Sequence, residues 1–248
     1  MSGVPRPSVR IPRRAAPLAV SALVPIVLLL TNVRLLLTPA FVSLEYSTPG
    51  FPPDGYGFSQ GDRVKWAQLA RVYLLNDAGP AFLGELRDQN GNPLYSEREV
   101  QHMLDVKALV QTALKAWLVS LALLGMVGAL AWRLGGSGTL RRGLRDGARL
   151  TLFLMGALVI LLLVSFSALF TGFHEIFFKS GTWLFSYSDT LIRLFPIRFW
   201  RDVFALWMLL TVGEAALLQW ATRPSSSTPT IGNAASADED RPADDPAS

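Results

Sequence analysis

Four runs of apolar residues dominate the chain, at 18–38, 109–132, 150–170 and 203–221. A helix needs about 20 apolar residues to cross roughly 30 Å of hydrocarbon, and each run meets that length. The first follows Arg10, Arg13 and Arg14, as the core of a signal peptide would. It is too long for that role, and no small-x-small cleavage site follows it, so it reads as an uncleaved span. The pattern predicts an all-α polytopic membrane protein, with four transmembrane helices and a small extracellular cap between spans one and two.

The polar segments between the runs set the expected orientation. Arg6, Arg10, Arg13 and Arg14 precede span one, and Arg133, Arg141, Arg142, Arg145 and Arg149 lie between spans two and three beside a single acid, Asp146. Basic residues stay on the cytoplasmic side, which puts both termini inside. The expected organisation is a basic cytoplasmic arm at 1–17 and a membrane domain at 18–221. That domain carries a cap at 41–107 and an aromatic outer loop at 172–201. The Ser-, Pro- and Asp-rich end, 222–248, reads as a disordered acidic cytoplasmic tail.

Within the cap, Trp66, Leu69, Ala70 and Tyr73 recur at helical spacing and predict an amphipathic helix over 62–76. Asn90-Gly91-Asn92-Pro93, flanked by 82–86 and the stretch around Tyr95, predicts a hairpin. Ser96 and Glu99 match a capping box, and the helix they begin runs without a break into span two.

Composition sharpens the class. Half of the 248 residues are hydrophobic and 17% are charged, against about a quarter charged in soluble domains. The net charge of +4 is split between the basic arm and loop and the acidic tail, so it is no sign of nucleic-acid binding. Without cysteine, thiol catalysis, disulfides and cysteine-ligated zinc are excluded. Only two histidines remain, His102 and His174.

Both histidines are expected in one layer. His102 precedes span two by seven residues, about 10 Å along a helix. His174 lies 25 residues beyond Arg149, about 37 Å, just past the hydrocarbon. Glu99 and Asp105 share the helical face of His102, and Glu175 follows His174. A carboxylate bonded to one ring nitrogen makes the other a better base, which favours His102 as base and His174 as acid. Arg34, at the outer end of span one, is either an interface anchor or an anion contact facing the histidines. Nine of the 28 residues from 173 to 200 are aromatic. They form either an interfacial belt or a lipid pocket built on Phe173, Phe177, Phe178, Trp183 and Tyr187. No cofactor motif is present, and two histidines with carboxylates make a poor metal site. On the residues alone, a haem-binding membrane protein and a non-catalytic membrane subunit remain as alternatives.

The strings Val100-Gln101-His102-Met103-Leu104-Asp105-Val106 and Phe173-His174-Glu175-Ile176-Phe177-Phe178, the Phe195-Pro196…Phe199-Trp200 run and Asn32-Val33-Arg34 resemble the lipoprotein intramolecular transacylase family, Lit. The resemblance covers about residues 18–221. It implies a four-helix membrane protein of the bacterial cell membrane, with two catalytic histidines, His102 and His174, under an extracellular cap. It also implies a substrate and partners: diacylglyceryl-modified lipoproteins and membrane lipid. The implied reaction moves the sn-2 acyl chain to the substrate's own N-terminal cysteine amine, giving the lyso form.

Overall fold

The computed structural model describes residues 15–224; most of the basic arm and the acidic tail predicted from sequence lie outside the described residues. Eight helices follow in order: α1 (Ala15–Leu36), α2 (Pro39–Tyr46), α3 (Gln60–Leu75), α4 (Ala81–Gly84), α5 (Glu97–Val164), α6 (Phe166–Phe177), α7 (Thr190–Leu194) and α8 (Ile197–Ala221). Among the described residues there is one isolated bridge, Arg87 to Pro93. Three helices, α1, α5 and α8, are long and apolar enough to cross a membrane.

The 68-residue α5 is two limbs. The basic stretch expected as a loop is almost wholly helical, and the chain reverses at Gly136, whose φ of 68° is open to glycine and costly for residues with a Cβ. Leu124, Val127 and Ala131 of the first limb share a core with Leu140 and Leu144 of the second. A second break, at Ser165, interrupts what the sequence suggested was one helix from span three to His174. Ser165 adopts extended angles and its hydroxyl accepts from the Ala168 amide, starting α6 afresh.

The apolar helices turn their hydrophobic surface outward. Phe153, Leu163 and Leu118 are 73%, 79% and 59% exposed, while Asn32, Thr151 and Thr211 are wholly buried. Lipid is as apolar as leucine, so helices in a bilayer associate through small residues and polar contacts rather than hydrophobic burial. The spacing Gly143-x-x-x-Gly147 does this against α1. A Cβ at Gly143 would lie 2.9 Å from the Pro17 carbonyl, and one at Gly147 would lie 2.6 Å from Val24. Between α1 and α8, the Asn32 amide lies 3.1 Å from the Thr211 hydroxyl and 2.9 Å from Glu214, a partner for Glu214 that the sequence did not reveal.

Above these helices sits the small folded unit expected between the first two apolar runs. The Trp66, Ala70 and Tyr73 stripe of α3 is buried as predicted, and α3 begins with a capping box of its own, Ser59 with Asp62. The turn at 88–92 forms, with Gly91 at φ 82° and Leu94 bonded back to Leu86. Its upstream flank folds as α4 rather than as a strand, and Leu83 is fully buried there. Leu191 and Leu194 of α7 enter the same core.

The close approach at Gly147 makes a stability prediction. Gly147→Ala forces a methyl into the α1 contact, which costs about 1–3 kcal/mol and lowers the thermal midpoint in detergent. Gly156→Ala, where nothing lies within 4 Å, leaves the midpoint in place. Equal losses at both positions would contradict the packing described.

Candidate functional site

The Ser96 capping box fixes where α5 starts. The Glu99 carboxylate accepts from the Ser96 amide at 2.8 Å and hydroxyl at 2.9 Å, and from the Leu191 amide of α7 at 2.7 Å. His102 follows one turn later. His174 arrives from the other side, near the end of α6. The two rings lie 6.2 Å apart between centroids with an interplanar angle of 20°. Both are buried, at 8% and 9% exposure.

Aromatic rings enclose the pair. Phe178 packs on both imidazoles, at 5.0 Å from His102 and 5.5 Å from His174. Phe185 lies 5.4 Å from His102, and Trp183 lies 4.8 Å from His174. Phe170, one turn before His174, packs tilted against it at 4.2 Å, and Phe173 meets it edge-on at 5.6 Å.

The hydrogen bonds assign the nitrogens of one ring. His174 Nδ1 lies 2.8 Å from the Phe170 carbonyl. A carbonyl only accepts, so Nδ1 carries the hydrogen and Nε2 of the neutral ring holds a lone pair. His102 Nδ1 is buried and has no partner among the described residues. Burial, and after it neighbouring His174, push the His102 pKa down to about 4 against the opposing Asp105. Burial also lowers that of His174, against the opposing Phe170 carbonyl. Each imidazole is therefore neutral near pH 7.

Several expectations need correction. Neither Glu99 nor Asp105 is bonded to His102: Glu99 is consumed by the cap of α5 and by α7, and Asp105 meets Gln101 at 3.4 Å. The reason for favouring His102 as base is gone, and so is a protonated acid waiting in the resting site. Glu175 is exposed. Arg34 lies near Arg71 of α3, whose cationic form is disfavoured by burial and by Arg34. Phe177 is half-exposed and packs on Phe173, one ring removed from the pair. Tyr187 is 82% exposed and stands outside the enclosure.

The sequence passed over two enclosing rings, Phe170 and Phe185. Phe170 was open to discovery, because it sits four residues before His174 and so on the same helical face. Phe185 carried no periodic signal, since it lies in irregular chain. A further feature had no signal at all: Trp183 Nε1 is buried with no partner among the described residues. Trp183 is the one ring around the pair, the histidines apart, that carries a hydrogen-bond donor. Among the described residues no group of three metal-ligating side chains occurs.

Comparison with known proteins places the chain in a family. The model of the family "Lipoprotein intramolecular transacylase Lit" matches residues 18–200. An uncharacterized protein of Aquifex aeolicus is 30% identical over 197 residues, covering 77% of this chain and 85% of the relative. The in meso structure of the transacylase Lit from Bacillus cereus is similar in fold, with a TM-score of 0.59 at 17% identity over 84% of this chain and 93% of that one. A variant of the same protein with a histidine replaced by arginine gives 0.60 at 15% identity, covering 85% and 90%. The non-catalytic reading falls with these matches, and the buried histidine pair belongs to an acyltransferase of the membrane: the chain is a member of the lipoprotein intramolecular transacylase family.

Proposed function

We propose that this protein moves the sn-2 acyl chain of a diacylglyceryl lipoprotein onto the α-amine of that lipoprotein's own N-terminal cysteine. The observation that carries the reading is the burial of the chain's only two histidines, 6.2 Å apart, in one aromatic enclosure. The aromatic walls suit a lipid substrate, and two neutral imidazoles suit transfer of a proton from an amine to a departing alkoxide.

The amine nitrogen attacks the ester carbonyl, forming a C–N bond, and the ester C–O bond then breaks. His174 Nε2, the lone pair left free by the bond to Phe170, accepts the amine proton. The proton passes through the pair to the departing glycerol oxygen, so both rings end neutral, as they began. Nucleophile and electrophile belong to one molecule, so folding the substrate until they meet supplies much of the rate, on the order of 7–11 kcal/mol for well-oriented intramolecular reactions. Trp183 Nε1–H is assigned to the tetrahedral oxyanion, since a buried donor left without a partner gains a bond as that negative charge develops.

In the bilayer, α1, the two limbs of α5 and α8 are the four spans, with the arginine-rich turn around Gly136 inside. The small folded unit and the histidines are then at the outer face. A labelling tag at Asn90 is expected to react in intact cells; reaction only after lysis would invert this orientation.

Two isotopically distinct diacyl lipoproteins, mixed with the purified protein, test the route. The expected product is unchanged in mass, N-acylated and S-monoacylated, with no exchange of labels. Exchange would rule out intramolecular transfer. His102→Ala and His174→Ala are each expected to abolish the product, and the double variant to be little worse than either, because members of one catalytic unit are not additive.

The neutral rings and the Trp183 donor make a joint prediction. The first loss of rate as pH falls should follow the substrate α-amine, at about 8, and a second loss, from protonation of the rings, should come only below the ordinary histidine pKa of about 6.5. Trp183→Phe keeps an aromatic wall and removes the N–H, so kcat should fall about 100-fold with the acid limb unmoved. An unchanged kcat would remove Trp183 from the reaction.

A further inference from the structure

The histidines are closed off from a substrate. Both side chains are buried, as are His102 Nδ1 and Trp183 Nε1, which have no partner among the described residues. Part of the enclosure has to move before an ester with acyl chains reaches them. His102 and His174 ride on helices, and α7 is bonded through its backbone to Glu99 and Arg63. The irregular chain between α6 and α7 is held differently.

Among the described residues, the hydrogen bonds of residues 179–188 stay within the segment or go to the next residue, Asp189. The Thr182 amide and hydroxyl donate to the Lys179 carbonyl at 3.2 and 2.8 Å. The Ser186 amide donates to the Asp189 carboxylate at 2.8 Å, and the Asp189 amide to the Ser186 carbonyl at 3.0 Å. Early in the segment the chain turns at Gly181, φ 81°, in open space. Its hold on the rest of the fold is by side chains. Trp183 lies on His174, and Phe185 lies on His102 and against the core of the outer unit. Segments with few cross-bonds open most readily.

One residue outside the segment grips it twice. Arg98, in the first turn of α5, pairs with the Asp189 carboxylate at 3.3 Å. The same guanidinium lies 5.1 Å from the centre of the Phe185 ring, which covers His102. The Arg98 side chain is 55% exposed, so its ion pair is weak, and a cation–π contact at an exposed site adds a comparable amount. A weak latch suits a cover that opens in each catalytic cycle. Trp183 belongs to the same segment, so closure also returns its indole N–H to the histidines.

We propose that residues 179–189 are a lid over the histidine pair, held shut by Arg98 as a positioning residue, and that the site is reached by its opening. The lid rests on the transacylase reading only for what passes beneath it, a substrate with acyl chains. Diethyl pyrocarbonate, which acylates neutral imidazole, tests it on the full-length protein in detergent at pH 7, with modification of each histidine followed by mass spectrometry. The chain has no other histidine and both rings are neutral at that pH, so the rate reports access. Arg98→Gln is expected to speed modification of both about fivefold, with the midpoint of thermal unfolding unchanged. Asp189→Asn keeps an oxygen for the Ser186 amide and loses the charge, for a gain of about threefold. The double variant is expected to match Arg98→Gln alone, since the shared ion pair is removed only once. Arg98→Lys, which keeps a cation, is expected to restore the wild-type rate. Unchanged rates in Arg98→Gln, or an Arg98→Lys rate as fast as that of Arg98→Gln, would overturn the latch. Histidines that react in the wild type as fast as free N-acetylhistidine would overturn the lid. Faster modification with a lowered unfolding midpoint would overturn it as well, because general loosening then exposes the rings. Acyl transfer by the wild type is measured alongside; its absence sinks the transacylase reading and leaves the lid to be judged by the modification rates.

Discussion

The fastening of α7 to the rest of the outer unit is the constraint on which the site depends. This five-residue helix is held by its backbone. Its Leu191 amide donates to Glu99 across 92 residues, its Leu194 carbonyl accepts from Tyr46, and its Arg193 carbonyl accepts from Arg63. The Thr190 hydroxyl donates to the Leu94 carbonyl, and the Arg193 side chain pairs with Asp54. Buried polar groups without partners are expensive, so these bonds leave the segment little freedom. Pinning α7 in place brings the preceding irregular chain, with Phe178, Trp183 and Phe185, back over His102 and His174. Glu99 serves both parts at once, since the carboxylate that holds α7 also caps the helix carrying His102.

The helices below obey a different rule. Hydrophobic burial cannot choose partners among helices that are apolar on every side, so the choice falls to shape and polarity. Gly143 and Gly147 let the α1 backbone come close, and Asn32 sets α1 against Thr211 and Glu214 of α8. Trp117 and Trp207 add indole bonds to the Thr31 hydroxyl and the Leu29 carbonyl of α1. With α1 gripped from several sides, the ends of α5 and α8 emerge at defined places, and α6 starts from the end of α5 through the Ser165 break.

Desolvation links the fold to the chemistry. The aromatic enclosure removes water from the imidazoles, and the loss of water disfavours the charged form. Neutral rings are ready to accept a proton at once. A carboxylate partner, common beside catalytic histidines, would oppose that effect. Here a backbone carbonyl orients His174, and the nearby acid Glu99 is spent on structure.

Apolar run length and the residues around the histidines determined, from sequence alone, an α-helical membrane protein and its family, and they singled out His102 and His174, which the fold brings together. These signals are local or compositional, and a linear chain carries them openly. The amphipathic stripe of α3 and the Ser96 capping box were readable for the same reason, since each rests on contacts within one or two turns. The partners of each side chain were not readable. Glu99 looked like a companion of His102 because helical spacing puts them on adjoining turns, yet the Leu191 amide takes it from 92 residues away. Tyr187 and Trp183 looked alike as members of one aromatic run, and only the folded path leaves one exposed and half-buries the other against His174. The breaks at Gly136 and Ser165 were hidden within runs that read as basic loop and apolar span. Spacing along a helix reports which residues share a face; which group wins a given hydrogen bond is decided by the long-range competition that tertiary packing resolves.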